Sequence, residues 1–264
     1  MILRITVSPL LYCILKIPKL KVLHQIVEMA SRQSQIALLI DPDKHTPSSA
    51  ATAAAVATSA GVDFIMVGGS YVSADANEVV SAIKKSTPLA VVLFPGSPLQ
   101  LSASADAIFL LSLISGRNPE YLIGNHVLAA GYIKKLGVEV IPVGYILVDG
   151  GVVSSVQYVS NTMPIPANKP DLVVATAIAG EMLGFKMIYL EAGSGAMQPV
   201  PAEVIAATKS SVSIPIIVGG GLCSDDSVLN ALNAGADVVV VGTAVEDDLN
   251  TVGRLVSLVK DFRR

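Results

Sequence analysis

The sequence predicts a single (β/α)8 barrel, with a reduced third crossover helix and a segment ahead of the barrel. Three observations carry that prediction. Short apolar, β-branched runs alternate with helical patterns from Gln35 onward, with no break in composition. Of the 264 residues, 52% are apolar and 15% charged, the balance that parallel strands buried on both faces require. Two glycine-rich turns, Val218-Gly219-Gly220-Gly221 and Val241-Gly242-Thr243, each close an apolar run and precede a helical pattern. They lie one βα unit apart, like the phosphate site that barrels build after their seventh and eighth strands. Glycine there lets several backbone N–H groups approach a phosphate oxygen, and a following helix N-terminus adds partial positive charge. A doubly wound open sheet is the alternative, but the first strand is not followed by the GxGxxG turn that fold needs.

Residues 1–21 stand apart from the barrel assigned to 22–264. The stretch from Ile2 to Leu20 is apolar, yet Pro9, Pro18, Arg4, Lys16 and Lys19 interrupt it. It is too broken to span a bilayer, and no small-residue cleavage site follows it. We therefore expect an N-terminal extension rather than a leader or an anchor.

A helix over 23–32 precedes the first strand. Strands are expected at 36–40, 64–67, 89–94, 107–111, 138–148, 187–191, 214–218 and 238–241, from β-branched apolar runs of strand length. Helices are expected at 48–60, 74–86, 118–136, 172–183, 202–210, 225–234 and 245–262. Gly61, Gly137, Gly184 and Gly235 follow last turns, and Ser224-Asp225-Asp226 opens a first turn. Between the third and fourth strands, 96–104 carries Pro98 and is too short for a full helix. Between the fifth strand and its helix, 150–169 is a long polar insert containing prolines, the kind of loop that borders a barrel's catalytic face.

Composition narrows the function classes. A net charge of −3 with no basic stripe argues against a nucleic-acid footprint. Cys13 and Cys223 lie far apart with no CxxC spacing, so neither a disulfide framework nor a zinc site is expected, and a reducing cytoplasmic compartment fits.

Candidate chemistry sits at strand ends. The first strand runs into Leu39-Ile40-Asp41-Pro42-Asp43-Lys44. Asp-Pro-Asp is a common turn into a helix, but a carboxylate at a barrel strand's C-terminal end also suits Mg2+ bridged to phosphates. The second ends in Val67-Gly68-Gly69-Ser70, readable as a tight turn or as a place where backbone and hydroxyl meet phosphate or metal. The sixth ends in Tyr189-Leu190-Glu191-Ala192-Gly193-Ser194-Gly195, where Glu191 is either a loop-stabilising acceptor or a general base in a low-dielectric pocket. Of the histidines, His24 and His45 carry no catalytic pattern, and His126 reads as structural within an apolar helix.

Taken in order with Asn118-Pro119-Glu120-Tyr121-Leu122-Ile123-Gly124-Asn125-His126, these motifs resemble geranylgeranylglyceryl phosphate synthase, in the larger branch shared by archaea and some bacteria. The resemblance covers residues 35 to 248 and implies prenyl transfer from a long prenyl diphosphate, such as geranylgeranyl diphosphate, to sn-glycerol 1-phosphate. It implies Asp41 and Ser70 as Mg2+ positions, and Glu191 with Tyr189 as the catalytic residues. Tyr189, Leu190, Glu191, Ala192, Gly193, Ser194, Gly195, Gly220, Gly221, Gly242 and Thr243 would hold glycerol 1-phosphate. A homo-oligomer and peripheral membrane contact are further expectations. Tyr121 stands where the family often has Trp, which leaves the prenyl groove wall open. Another phosphate-gripping barrel, such as a sugar-phosphate isomerase or epimerase, and a non-catalytic phosphate- or lipid-binding barrel are the competing readings.

Overall fold

The computed structural model describes residues 21–242 and 250–263. The extension before residue 21, Cys13, Thr243 and the first turn of the last expected helix lie outside the described residues. Eight strands close into a barrel in chain order, each parallel to the next and β8 parallel to β1. They are β1 Gln35–Ile40, β2 Phe64–Val67, β3 Ala90–Leu93, β4 Ala107–Leu113, β5 Glu139–Leu147, β6 Met187–Glu191, β7 Ile216–Gly219 and β8 Val238–Val241.

The helices are α1 Lys21–Ala30, α2 Pro47–Ala60, α3 Ala76–Ser86, α4 Asn125–Leu136, α5 Ser155–Ser160, α6 Pro170–Met182, α7 Ala202–Lys209, α8 Asp225–Asn233 and α9 Asn250–Asp261. No helix bridges β3 and β4, as the short Pro98-bearing segment predicts. Start signals are local: Thr46, Asp75 and Ser154 cap α2, α3 and α5 with side-chain oxygens, and Pro47 and Pro170 occupy first turns.

Strand alternation sorts the side chains into two cores. Ala37, Phe64, Met66, Val92, Phe109, Ile141, Val143, Met187 and Val240 fill the barrel interior. Ile36, Leu38, Ile65, Val91, Ile108, Ile188 and Val239 pack outward against the helices. Helix α1 closes the lower end, adding Val22 and Ile26 to the interior cluster. Buried Glu139, at the start of β5, accepts from Val22 N at 2.8 Å and Leu23 N at 3.1 Å, placing a carboxylate at a helix N-terminus.

One device repeats three times at that end. Asp63, Asp106 and Asp237 each precede an even-numbered strand and accept the first free N–H of the strand before, from Ile36, Val91 and Ile216, at 2.7–2.9 Å. Each also pairs with a helix lysine: Lys260, Lys84 and Lys209, respectively. At the bottom of a barrel, away from the strands' C-terminal ends, this repeated pairing serves stability rather than chemistry.

Differences from expectation are local. The helix expected over 118–136 opens with a π-helical turn, Glu120–Gly124, before α4. The long insert holds the unpredicted α5, and a bridge from Val148 to Ile165 pins its far side to the barrel. That helix is too short for a 3.6-residue pattern to register in sequence.

Candidate functional site at the barrel mouth

The strand register brings the C-terminal ends of β1, β2, β6, β7 and β8 to one rim, with Ile40 beside Val67 and Glu191 beside Gly219. A cavity of about 490 Å3 opens there. Asp41, Ser70, Tyr189, Glu191, Ser194, Gly195, Gly220, Gly221 and Gly242 all line it, so residues up to 201 positions apart converge on one space.

Three predicted residues are placed differently. Leu190 points outward into the helix-packed core, the necessary consequence of alternation between inward Tyr189 and Glu191. Ala192 joins the same outer core, and Gly193 backs onto Ser154 instead of lining the cavity. Their contribution to the loop is backbone: Ala192 N donates to Gly219 O at 3.0 Å and Gly193 N to Glu191 Oε1 at 2.7 Å.

Glu191 is buried under this loop, and burial pushes its pKa up to about 7. The Gly193 N–H, then the nearby hydroxyls of Tyr189 and Tyr145, act in the opposite direction without overcoming desolvation. Burial, and then the charge of Glu191, hold both phenols well above the ordinary tyrosine value, so they stay protonated. Tyr189 Oη is buried close to this carboxylate, and among the described residues no group meets it in full hydrogen-bond geometry. Phe94, Tyr145 and Tyr189 form an aromatic floor, with Tyr189 stacked on Phe94 at 5.1 Å and 5.3 Å from Tyr145.

The glycine turns form the opposite wall. Gly220 has φ +81°, and a Cβ there would press on Glu191 Oε1 and lie 2.7 Å from Gly193 N. Gly195, at φ +73°, faces open space, so its backbone is accessible to an incoming anion. The start of α8, the helix after the Gly219-Gly220-Gly221 turn, uses part of its donor set on itself. Ser224 and Ser227 satisfy each other's backbone N–H at the start of α8, and Asp225 and Asp226 put negative charge in its first turn.

On the other side, Asp41 and Asp43 divide their work. Asp43 receives Ser73 N at 2.9 Å and Ala74 N at 2.7 Å, tying the loop after β1 to the loop after β2, and those bonds lower its pKa. Asp41 lines the cavity with Lys44 and Ser70, and a Cβ on Gly69 would sit 3.3 Å from Asp41 Oδ2. Buried Gln100 fixes this corner: its amide donates to Gly69 O at 2.9 Å and its oxygen accepts from Gly69 N and Gly96 N at 3.3 Å. Among the described residues, no cluster of three or more His, Cys, Asp or Glu side chains could hold a metal. A cation beside Asp41 and Ser70 would have to complete its shell with water and substrate oxygens, which is the habit of Mg2+.

A second space opens from the first. An apolar groove of about 90 Å3 runs from Gly69, Ser70, Phe94 and Tyr145 between the β3–β4 segment and α4, reaching Ala129 and Ile133. Tyr121 borders it and donates its hydroxyl to Val159 O at 3.3 Å, joining the π-helical turn to α5. Sequence reasoning missed Phe94, Tyr145 and Gln100, while Lys44 belongs to the strand-end motif it singled out. The inward alternation of Val143, Tyr145 and Leu147 in β5 was the available signal for Tyr145. His126 Nε2 donates to Leu111 O, 2.8 Å away, in keeping with a structural role.

The comparisons with known proteins agree with this geometry. Residues 28–260 match the PcrB family. A geranylgeranylglyceryl phosphate synthase of Spirosoma linguale is 48% identical, covering 89% of this chain and 94% of its own. The archaeal synthase of Thermofilum pendens is 45% identical over 84% of this chain and 88% of its own. The fold also overlays, with a TM-score of 0.87 and 36% identity, on the crystal structure of (S)-3-O-geranylgeranylglyceryl phosphate synthase from Thermoplasma acidophilum in complex with sn-glycerol-1-phosphate, covering 91% of this chain and 99% of that one. The resemblance read from the strand-end motifs is thus borne out, and the chain belongs to the PcrB family.

Proposed function

We propose that the chain joins a long-chain prenyl diphosphate, geranylgeranyl diphosphate in the first instance, to sn-glycerol 1-phosphate. The observation that carries this reading is the junction of two unlike spaces. A polar mouth with a glycine wall and a buried carboxylate opens directly into an apolar groove, and the two share Gly69, Ser70, Phe94, Tyr145 and Val156. A sugar-phosphate isomerase needs the first space and has no use for the second. A non-catalytic binder has no use for a carboxylate held near neutrality.

In this reading the phosphate of glycerol 1-phosphate lies on the backbone of Gly195, Gly220, Gly221 and Gly242. Its hydroxyl faces Glu191, with the allylic carbon at the groove entrance. The hydroxyl oxygen forms a bond to that carbon as the carbon–diphosphate bond breaks, and the hydroxyl proton passes to Glu191. A carboxylate with a pKa of about 7 is ionised enough to accept it and basic enough to drive the transfer. The faces of Phe94, Tyr145 and Tyr189 lie below the same point and favour positive charge on the allylic carbon.

Asp41 and Ser70 are where Mg2+ would sit, their hard oxygens lining the mouth beside the groove entrance. When bound, the ion would neutralise the diphosphate as it departs. The reading includes self-association through α4, whose Val127, Leu128 and Tyr132 are exposed.

The direct test is mass spectrometry of products from the purified protein, supplied with both glycerol phosphate enantiomers and prenyl diphosphates of several lengths. A prenylglyceryl phosphate formed from the sn-1 enantiomer supports the reading. Absence of product with every pair, with Mg2+ present, overturns it.

A further inference from the structure

Four exposed apolar side chains stand on separate loops around the barrel mouth, outside both spaces just described. They are Leu99 after β3, Val153 and Tyr158 in the insert after β5, and Met197 after β6, each 70–89% exposed. All lie in connections that leave the C-terminal ends of strands, so the barrel carries them at one end.

Their bases are fixed although their tips are bare. Gln100 binds the loop of Leu99 to Gly69. Met197 N and Gln198 N both donate to Gly150 O, at 3.0 and 3.1 Å, joining the Met197 loop to the loop of Val153. Asn118 Nδ2 donates to Ser160 O at 2.6 Å and Tyr121 Oη to Val159 O, holding the helix that presents Tyr158. The apolar groove opens between two of these supports, bordered by 95–98 on one side and by Val156 and Val159 on the other. Leu99 and Tyr158 therefore flank its entrance.

We propose that this rim docks on the surface of a lipid bilayer, inserting Leu99, Val153, Tyr158 and Met197, so that a prenyl tail passes between membrane and groove without crossing water. The proposal rests on the prenyl-transfer reading, since a tail is what the groove would receive. Each methylene moved through water carries a hydrophobic cost, and a rim in contact with the bilayer avoids it for substrate and product alike. Charge selects the kind of membrane. The segments that carry the four tips, 95–102, 150–160 and 192–199, contain no charged residue. With no cationic surplus, attachment depends on apolar insertion and not on anionic headgroups.

The test is co-sedimentation of the full chain with phosphatidylcholine vesicles, comparing wild type with L99S/V153S/Y158S/M197S and with M182S/L183S. Met182 and Leu183 are equally exposed but end α6 at the opposite face of the barrel. Wild type and the M182S/L183S variant are expected to bind alike, and binding is expected to withstand high salt. The quadruple variant is expected to bind roughly 100-fold more weakly. It is expected to turn over detergent-dispersed prenyl diphosphate at the wild-type rate, and to lose rate only with substrate embedded in vesicles. Equal binding by all three proteins overturns the proposal, as does binding that requires anionic lipid. A quadruple variant that changes oligomeric state in sedimentation velocity also overturns it, because the rim would then be a contact between copies. Failure of wild type to turn over substrate in detergent strikes the prenyl-transfer reading instead, and is read independently of vesicle binding.

Discussion

Glu191 Oε1 accepts a 2.7 Å hydrogen bond from the backbone N–H of Gly193, two residues along its own loop. This bond helps aim a buried carboxylate at the mouth, and desolvation still outweighs the donors around it, giving a pKa of about 7. The same loop is held down by Ala192 N on Gly219 O, so the carboxylate's position depends on β7 as well as β6.

Activity should therefore follow the ionisation of Glu191. The expected kcat/KM rises with pH through about 7 and then levels. In Glu191→Gln, general-base assistance worth roughly 10²–10⁴-fold is lost and that inflection disappears. A variant retaining both rate and inflection would assign the proton to another group.

The same substitution should have an opposite effect on stability. Folding favours the neutral form of Glu191, so its contribution is full below its ordinary value of 4.5 and is lost as pH rises through about 7. The loss amounts to about 3 kcal/mol. Glu191→Gln should then melt higher than wild type at about pH 9, with the gap closing near pH 5, as read by calorimetry.

Gly220→Ala tests the close approach of the two loops. The new methyl would meet Glu191 Oε1 and the N–H groups of Ala192 and Gly193, at a φ of +81° that L-residues avoid. Displacing the carboxylate by a fraction of an ångström should lower kcat/KM roughly 100-fold, with circular dichroism unchanged. Near-normal kinetics would mean that the loop adapts and the carboxylate is not held by this contact.

Ala129→Phe tests the groove. Ala129 lines its far part and is buried against α4's neighbours. A phenyl ring there should fill the far end and reduce kcat/KM for a long prenyl diphosphate relative to a short one by more than about 10-fold. Using the ratio cancels any general loss of stability. An unchanged ratio would put the tail elsewhere.

At the opposite end, Asp237→Ala should cost stability and leave chemistry intact. Asp237 is 1% exposed, accepts from Ile216 N at 2.7 Å and pairs with Lys209. Removing it leaves a buried N–H without its acceptor, a loss of about 3 kcal/mol that lowers the melting temperature. Wild-type kcat/KM at low temperature is expected, since this face carries no site residue.

Much of the barrel was legible because its signals are short-ranged. A short apolar run ending in glycine or an acid, as in Leu38 to Asp41 or Val238 to Gly242, records burial and termination within a few residues. Asp41, Ser70, Glu191 and the glycine turns were identifiable for the same reason: barrel geometry sends every strand's C-terminal end to one rim. The outward face of Leu190 was equally implied by alternation, though a motif read as a block conceals it.

By itself, then, the sequence determined the eight-stranded alternation, the missing third crossover helix, and which strand ends carry acids and glycines, since each is set by neighbours in the chain. Only the tertiary structure decided that Tyr145 and Phe94 join Tyr189 under Glu191, that Gln100 locks the corner beside Asp41, and that an apolar groove opens from the polar mouth toward Ala129. It also decided that Ser224 and Ser227 close a capping box at the start of α8. The physical reason is common to all of these: burial, desolvation and cavity shape arise from contacts between segments tens of residues apart, and no local pattern encodes the dielectric around a single carboxylate.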